Sequence, residues 1–229
     1  MYFGDPTFIL VIPALILAFY AQAKVKGAYA RYSQVFASSR VTGAQAAYQL
    51  LQAGGAGHVT IEKIPGQLTD HYDPRKKVLR LSQAVHDNAS IAALGVAAHE
   101  TGHALQDQAH YRPMALRSII YPVASLGSTL AFPVFLIGMF FGGRSSTTFM
   151  DIGILLFAGA VAFSLVTLPV EFNASKRALA LLGERRFLTP DELVGARKVL
   201  SAAALTYVAS TAMAAMQLVR MFLIRQSRD

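Results

Sequence analysis

Four long runs of apolar residues, none containing a charged side chain, limit what this chain can fold into. They cover residues 8–23, 119–143, 152–170 and 199–219 of the 229-residue sequence. Three of them reach the roughly 20 residues that an α-helix needs to cross a bilayer, and the first comes close. Such runs could instead be buried helices of a soluble core, but the remaining segments are too small to wrap them. The chain, 54% apolar and 15% charged, is therefore predicted to be a polytopic membrane protein in the lipid bilayer.

The first apolar run is predicted to be a retained span and not a cleaved signal peptide. A signal peptide begins with a basic segment. Here Asp5 precedes the run, and Lys24 and Lys26 follow it. These charges are the ones expected of an anchor whose N-terminus lies outside the cell.

The distribution of basic residues predicts which segments face the cytoplasm. Lysine and arginine concentrate in residues 24–118 and 171–198, whereas the loop between the second and third runs has only Arg144. Basic loops stay on the cytoplasmic side of a membrane. We therefore expect a multi-pass protein of the plasma membrane, with both polar segments in the cytoplasm and both termini outside. The predicted spans are residues 6–23, 119–143, 152–170 and 199–221.

The charge and the cysteine count exclude several kinds of function. The net charge of +8 is explained by membrane topology, and the charges are dispersed without a recognition motif, so we expect no nucleic-acid partner. The sequence has no cysteine, which excludes disulfides and thiolate metal sites. Any metal ion must therefore be held by histidine, aspartate or glutamate.

Capping and turn signals predict two helices in the first polar segment. Residues 41–55 are typical of an amphipathic helix capped by Thr42. Residues 88–107 are typical of a second helix, capped by Ser90 or Asn88.

The remaining polar segments predict strands and a further helix start. Residues 58–82 alternate apolar and polar side chains between Pro-Gly and Asp-Pro turns, which predicts an antiparallel hairpin or a three-stranded ribbon. The helix after the third run is expected to stop near Gly183. Thr189 to Glu192 then resembles a capping box that begins a helix running into the fourth apolar run.

The stretch "GVAAHETGHALQ", residues 95–106, indicates a metal site. His99 and His103 are four residues apart, so on a helix they share one face and could bind one ion. Glu100 is rotated by about 100° from His99, beside the ion, where it could take a proton from a metal-activated water. The alternative is a polar cluster hydrogen-bonded in a core. Two imidazoles and a carboxylate among small apolar neighbours would be poorly satisfied there without a partner.

A catalytic zinc site needs three protein ligands and an open fourth position. Glu171 is a candidate third ligand, since it is the first charge after the third apolar run. A carboxylate at such a helix end is costly unless it is paired or bound to metal. The alternative from the residues alone is an interfacial ion pair with Lys176 or Arg177. The predicted cofactor is one Zn²⁺ per chain.

Three segments together resemble a known family. "GVAAHETGHALQ", "LPVEFNASKRALALL" and "DHYDPRKKVLRLS" are similar to segments of the bacterial neutral zinc metallopeptidases of the YugP type. These are integral membrane proteins related to the heat-shock and CAAX-prenyl membrane proteases. The resemblance covers nearly the whole chain. It implies a gluzincin site in which the glutamate of the "EF-x-A" segment, Glu171, is the third ligand beside His99 and His103.

The chain departs from the wider prenyl-protease group at one position. That group has an aspartate four residues after the glutamate ligand, where it orients a ligating histidine. Here that position is Ser175. We expect Ser175, Asn173 or a different residue to make this hydrogen bond.

Weaker candidates lie elsewhere in the chain. Tyr207 could donate to the oxyanion of the reaction, or be an aromatic residue at the membrane interface. His71 could act as an electrophile, or be a solvated loop histidine. The strand in the third segment could pair with an extended peptide substrate by addition at a sheet edge. Its residues would be Val78, Leu79, Arg80 and Leu81.

Together these features predict a mainly α polytopic membrane protein, residues 1–229 forming a single domain. It has about four transmembrane helices, a cytoplasmic zincin-like helical site and a small β-hairpin or ribbon. The predicted function is a zinc-dependent membrane-embedded endopeptidase that cleaves peptide or membrane-protein substrates with Glu100 as general base.

The competing hypothesis is a non-catalytic membrane scaffold or adaptor with a structural zinc site. Such a site would be closed by a fourth protein ligand, for instance His71 or Asp70. Small residues in the fourth run could then form a partner-binding face. A membrane-protein adaptor or a second copy of the chain is a further partner that the sequence leaves open.

Overall fold

The computed structural model describes residues 6–140 and 144–227. The chain divides into two compact units. The first, which we call the spanning unit, comprises the described residues up to Ala21, Leu116–Leu168 and the described residues from Thr206 onward. The second, the α/β unit, comprises Gln22–Ala115 and Pro169–Leu205. Whether the whole chain is a single domain stays a prediction.

Helices dominate the described residues, which agrees with the predicted fold class. A 3₁₀ helix, Pro6–Val11, leads into the first α-helix. The α-helices are α1 Ile12–Tyr32, α2 Gly43–Ala53, α3 Gln83–His86, α4 Ile91–Gln108, α5 Arg112–Phe140, α6 Arg144–Glu184 and α7 Pro190–Gln226. The strands are β1 Thr60–Ile64, β2 His71–Asp73 and β3 Val78–Ser82.

The described residues contain four helices long and apolar enough to cross a membrane, which confirms the predicted number. They are Pro6–Tyr32, Arg112–Phe140, Ser146–Glu184 and Pro190–Gln226. Each extends beyond the apolar run that predicted it, because polar turns continue the helix. The predicted end of the second span, residues 141–143, lies outside the described residues.

Within the spanning unit, apolar side chains point both outward and inward. Large side chains such as Phe19 and Leu155 are 69% and 74% exposed, as expected of surfaces that contact lipid. A small cluster packs inside the unit, formed by Phe135, Met150, Ile154 and Met221. Glycine allows this packing, since a Cβ at Gly153 would lie 2.8 Å from the carbonyl oxygen of Ala131.

In the α/β unit, hydrogen-bonding side chains begin the two predicted helices. Thr42 and Gln45 form a reciprocal capping box at the start of α2. Ser90 caps α4, because its hydroxyl accepts a hydrogen bond from the N–H of Ala93. Asn88, the alternative cap, instead accepts from the N–H of Ser90. Both predicted helices are confirmed.

The three strands form one mixed sheet in the order β1-β3-β2. β1 pairs with β3 in parallel, from Thr60 opposite Val78 to Ile64 opposite Ser82. β2 pairs with β3 antiparallel. The three strands agree with the predicted three-stranded ribbon, in which only β2 and β3 form an antiparallel pair and β1 runs parallel to β3. The Asp73 side chain accepts from two N–H groups in the turn after β2 and so reverses the chain into β3; β1 is left to pair on the other side of β3.

The strand order also corrects the predicted edge-strand site. Val78, Leu79, Arg80 and Leu81 lie on the central strand, which has a neighbour on each side. Its backbone groups are therefore already used, and the aliphatic side chains of the strand are buried. Addition of a substrate strand at this position is excluded by the sheet itself.

Helix α4 is the central element of the α/β unit. One side of it packs with the sheet in a cluster that includes Leu79, Leu81 and Leu105. Another side packs with α2, α6 and α7 in a cluster that includes Leu94 and Leu200. The helix is thus held on most of its surface, and its side chains have fixed directions.

The start of α7 is held by Glu192. One carboxylate oxygen accepts the N–H of Thr189 at 2.8 Å, and the Thr189 hydroxyl accepts the N–H of Glu192 at 3.3 Å. This is the capping box that the sequence predicts. The other carboxylate oxygen accepts from the N–H and the hydroxyl of Ser38, at 2.7 and 2.5 Å. Glu192 therefore joins the segment after α1 to the start of α7.

Replacement of Glu192 by alanine is expected to lower the stability of the protein by about 1–2 kcal/mol, because it removes the carboxylate half of the capping box and two hydrogen bonds from Ser38. Asp191→Ala is the matched control, since Asp191 is exposed and also places a negative charge in the first turn of α7. Thermal unfolding in detergent, followed by circular dichroism, measures the difference. Equal melting temperatures for the two variants would contradict the role given to Glu192.

Candidate metal centre

His99, His103 and Glu171 meet in the α/β unit. The two histidines lie one turn apart on α4, and Glu171 lies on α6. The Nε2 atom of His99 is 3.2 Å from Oε2 of Glu171, and the Nε2 atom of His103 is 3.5 Å from the same oxygen. His103 and Glu171 are 7% and 2% exposed. Three potential ligands from distant parts of the sequence therefore converge in a largely buried position.

This geometry fits a small divalent cation. The three ligand atoms all lie within 4.8 Å of one another. Tetrahedral zinc with bonds of 2.0–2.1 Å separates its ligand atoms by about 3.3 Å, close to the separations of 3.2 and 3.5 Å between the imidazole nitrogens and Glu171. The imidazole rings are nearly perpendicular, at 84°, with centroids 4.8 Å apart. Both rings can therefore direct a nitrogen at one point without stacking.

A glycine allows the two helices to approach so closely. A Cβ atom at Gly102, between the two histidines, would lie 2.8 Å from the carbonyl oxygen of Ala174 on α6. Any larger residue would push α4 away from α6. The small residue at this position therefore helps to hold both imidazoles against Glu171.

Glu100 follows His99 on α4 and is partly buried. Burial raises the pKa of its carboxyl group, while the neighbouring imidazoles of His99 and His103 act in the opposite direction. A carboxylate beside a metal site can accept a proton from water. The structure thus keeps Glu100 adjacent to the three ligands, as its sequence position requires.

The Nδ1 atom of His99, which faces away from Glu171, has a polar partner. Nδ1 of His99 lies 3.1 Å from the hydroxyl of Ser175. Asn173, the other residue predicted for this hydrogen bond, instead accepts from Nε of Arg177 at 2.8 Å. Of the two candidates, Ser175 is therefore the one next to a histidine.

Sequence reasoning missed Gln106. This residue is fully buried, and its Oε1 accepts a hydrogen bond from Nδ1 of His103 at 3.0 Å. The spacing of three residues on one helix places both side chains on one face, and this signal could have identified it. Its other partners are on α6 and could not be known before the packing of α4 on α6.

Asp70 and His71, considered as a fourth ligand, are held by other groups. The carboxylate of Asp70 accepts from the N–H and hydroxyl of Ser82, at 2.7 and 3.1 Å. Burial raises the pKa of Asp70, against the lowering effect of these donors. Nδ1 of His71 lies 2.8 Å from the carbonyl of Thr69. Within residues 6–140 and 144–227, the cluster suited to a metal contains only His99, His103 and Glu171.

Two sequence candidates remain, Tyr207 and the basic partner considered for Glu171. Tyr207 lies on α7 in the spanning unit, and its role as an oxyanion donor stays a prediction. Arg177, considered as an ion-pair partner of Glu171, donates to Asn173. Glu171 itself faces the two imidazoles.

Comparison with known proteins agrees with this geometry. Residues 7–226 match a family described as "Putative neutral zinc metallopeptidase". The chain is 47% identical over 215 residues to a Bacillus subtilis (strain 168) protein named "Putative membrane protease YugP", and the match covers 94% of each chain. No solved structure matches the chain.

The family match extends over nearly the whole chain, including α4 and α6, and the relative carries the name "Putative membrane protease YugP". Zinc is the metal implied for the cluster of His99, His103 and Glu171. Because the match covers residues 7–226, the chain belongs to the family of neutral zinc metallopeptidases.

Proposed function

We propose that this protein is a zinc-dependent, membrane-embedded endopeptidase of the gluzincin type. His99, His103 and Glu171 would hold one zinc ion. The observation that carries the proposal is the position of both Nε2 atoms within 3.5 Å of one Glu171 oxygen. The family match and the named membrane protease support it.

Zinc bound by these ligands would acidify water and polarise a peptide carbonyl. Glu100 is the proposed general base. Its carboxylate would accept a proton from the attacking water while the water oxygen bonds to the carbonyl carbon. The same group would then donate the proton to the amine nitrogen as the C–N bond breaks. The products are one carboxylate and one amine, so hydrolysis is balanced without any further reactant.

Ser175 is proposed to orient His99. If its hydroxyl accepts the Nδ1 proton of that imidazole, Nε2 keeps its lone pair and faces Glu171. A ligating histidine generally needs such a partner on its other nitrogen. The distance of 3.1 Å supports Ser175 in this role, in place of the aspartate of the prenyl-protease group.

The proposal of an enzyme, and not a scaffold with a closed zinc site, depends on the number of ligands. A structural zinc has four protein ligands, whereas a catalytic one keeps a position open. Asp70 is hydrogen-bonded to Ser82 and His71 contacts Thr69, which supports three protein ligands. The fourth position would then be open to water and substrate.

The proposed location of the reaction is the cytoplasmic face of the plasma membrane. The basic residues of the two polar segments, 24–118 and 171–198, support this orientation. Both segments supply metal-site residues. The proposed substrates are peptides or exposed segments of membrane proteins.

Replacement of Glu100 by glutamine should abolish most of the hydrolysis and leave zinc bound. The amide keeps the shape of the side chain but cannot accept the proton, so we expect the rate to fall about 10²–10⁴-fold. Turnover of a quenched fluorogenic peptide library by the purified protein in detergent measures the rate, and mass spectrometry measures zinc content. Glu184→Gln, an exposed change on α6, is the control. Wild-type cleavage by Glu100→Gln would refute the mechanism.

Replacement of Glu171 by alanine should remove most of the zinc, because one of three protein ligands is lost and two imidazoles remain. Zinc content after dialysis against a weak chelator is the measurement. Glu184→Ala, at the exposed end of the same helix, should retain the wild-type amount. If the two variants keep equal zinc, Glu171 is not a ligand.

A further inference from the structure

A chain of side-chain amides joins α4 to α6 behind the metal ligands. The Nε2 group of Gln106 donates to the carbonyl of Val170 at 2.8 Å and to Oδ1 of Asn173 at 3.0 Å. Its Oε1 faces Nδ1 of His103 at 3.0 Å. Gln106 is fully buried, so each of these hydrogen bonds is made without competition from water. Gln106 therefore contacts His103, one proposed ligand, and the carbonyl of Val170, the residue immediately before Glu171, another proposed ligand.

The neighbours of Gln106 fix which way its amide points. Arg177 has only donors, so the Asn173 atom 2.8 Å from its Nε must be the oxygen. The same Asn173 oxygen faces Gln106, and so does the carbonyl oxygen of Val170. Both of these oxygens can only accept hydrogen bonds. The Gln106 atom between them must therefore be the NH₂ group. Its oxygen is then directed to the other side, toward the imidazole.

This orientation of the Gln106 amide determines which tautomer a neutral His103 adopts. An amide oxygen can only accept, so a neutral His103 must carry its proton on Nδ1. The lone pair is then on Nε2, which faces Glu171 at 3.5 Å. Neutral imidazole in water prefers the opposite tautomer, with the proton on Nε2. The protein therefore has to impose the tautomer that a metal needs.

We propose that Gln106 is a positioning residue that holds His103 in its Nδ1–H tautomer, with the direction of its amide set by Asn173, Arg177 and the Val170 carbonyl. For its effect on zinc, this inference rests on the proposed function. It concerns a residue that contacts a ligand and not the substrate. Substitution of Gln106 is thus expected to change zinc affinity and the tautomer of His103. Gln106 itself does not take part directly in proton transfer.

A purely structural role for Gln106 predicts a different result from two substitutions. Gln106→Met has a similar size and suits buried apolar surroundings, but cannot accept the Nδ1 proton. Gln106→Glu retains an acceptor toward His103, although it loses the donor to Val170 and Asn173 and a buried carboxylate suits the fold less well. If Gln106 only fills space, the methionine variant should be the better tolerated. If it positions His103, the glutamate variant should bind zinc better.

Zinc affinity of the full-length protein in detergent, measured by competition with a chelator of known affinity, separates these cases. We expect Gln106→Met to lose about 10–100-fold in affinity, the range typical of partners that orient a ligand. Gln106→Glu should lie between it and the wild type. Gln108→Met, an exposed change on the same helix, should match the wild type. Higher affinity in Gln106→Met than in Gln106→Glu would overturn the inference.

A second measurement separates this inference from the proposed function. In zinc-free protein at alkaline pH, ¹⁵N NMR of labelled histidine reports the tautomer of His103, assigned through His103→Asn. We expect the proton on Nδ1 in the wild type and on Nε2 in Gln106→Met. An unchanged tautomer would overturn the role of Gln106 even in a protein that binds zinc and cleaves peptides. The expected change in a protein without zinc affinity would instead count against the proposed function alone.

Discussion

The contact between two imidazoles on α4 and one buried carboxylate on α6 is the interaction on which the account of this protein depends. Glu171 is 2% exposed, and a buried carboxylate without a compensating charge would destabilise the fold. His99 and His103 approach it within 3.5 Å. A divalent cation between these groups would compensate the charge and be held by them. The same arrangement could therefore hold a metal ion, and it accounts for a carboxylate in the interior.

The surrounding structure serves to keep that contact in place. Gly102 lets α4 approach the backbone of Ala174, while Gln106 connects His103 to the chain beside Glu171. On the opposite side of α4, the sheet packs through buried leucines. The hydroxyl of Tyr72 on β2 donates to Asp107 near the end of the helix at 2.7 Å. The position of each ligand therefore depends on packing over the whole α/β unit and not on the motif alone.

Much of this arrangement could be predicted because it is local in the sequence. The uncharged runs predict the spans, Thr189 and Glu192 predict the start of α7, and the spacing of His99 and His103 predicts a shared helix face. The direction of strand pairing could not be predicted, because an alternating pattern is the same for parallel and antiparallel neighbours. The pattern also does not give the order of the strands, so the central position of Val78–Leu81 could not be predicted. The role of Gln106 could not be predicted either, because its partner Val170 is 64 residues away in the sequence.

The central claim is that three protein side chains bind one zinc ion and leave a coordination position open. X-ray absorption at the zinc edge of the purified protein tests it most directly. We expect two imidazole nitrogens, one carboxylate and one further oxygen from water at about 2.0–2.2 Å. In Glu171→Gln the carboxylate contribution should be lost or weakened. A spectrum with four protein ligands, or one unaffected by this substitution, would contradict the account.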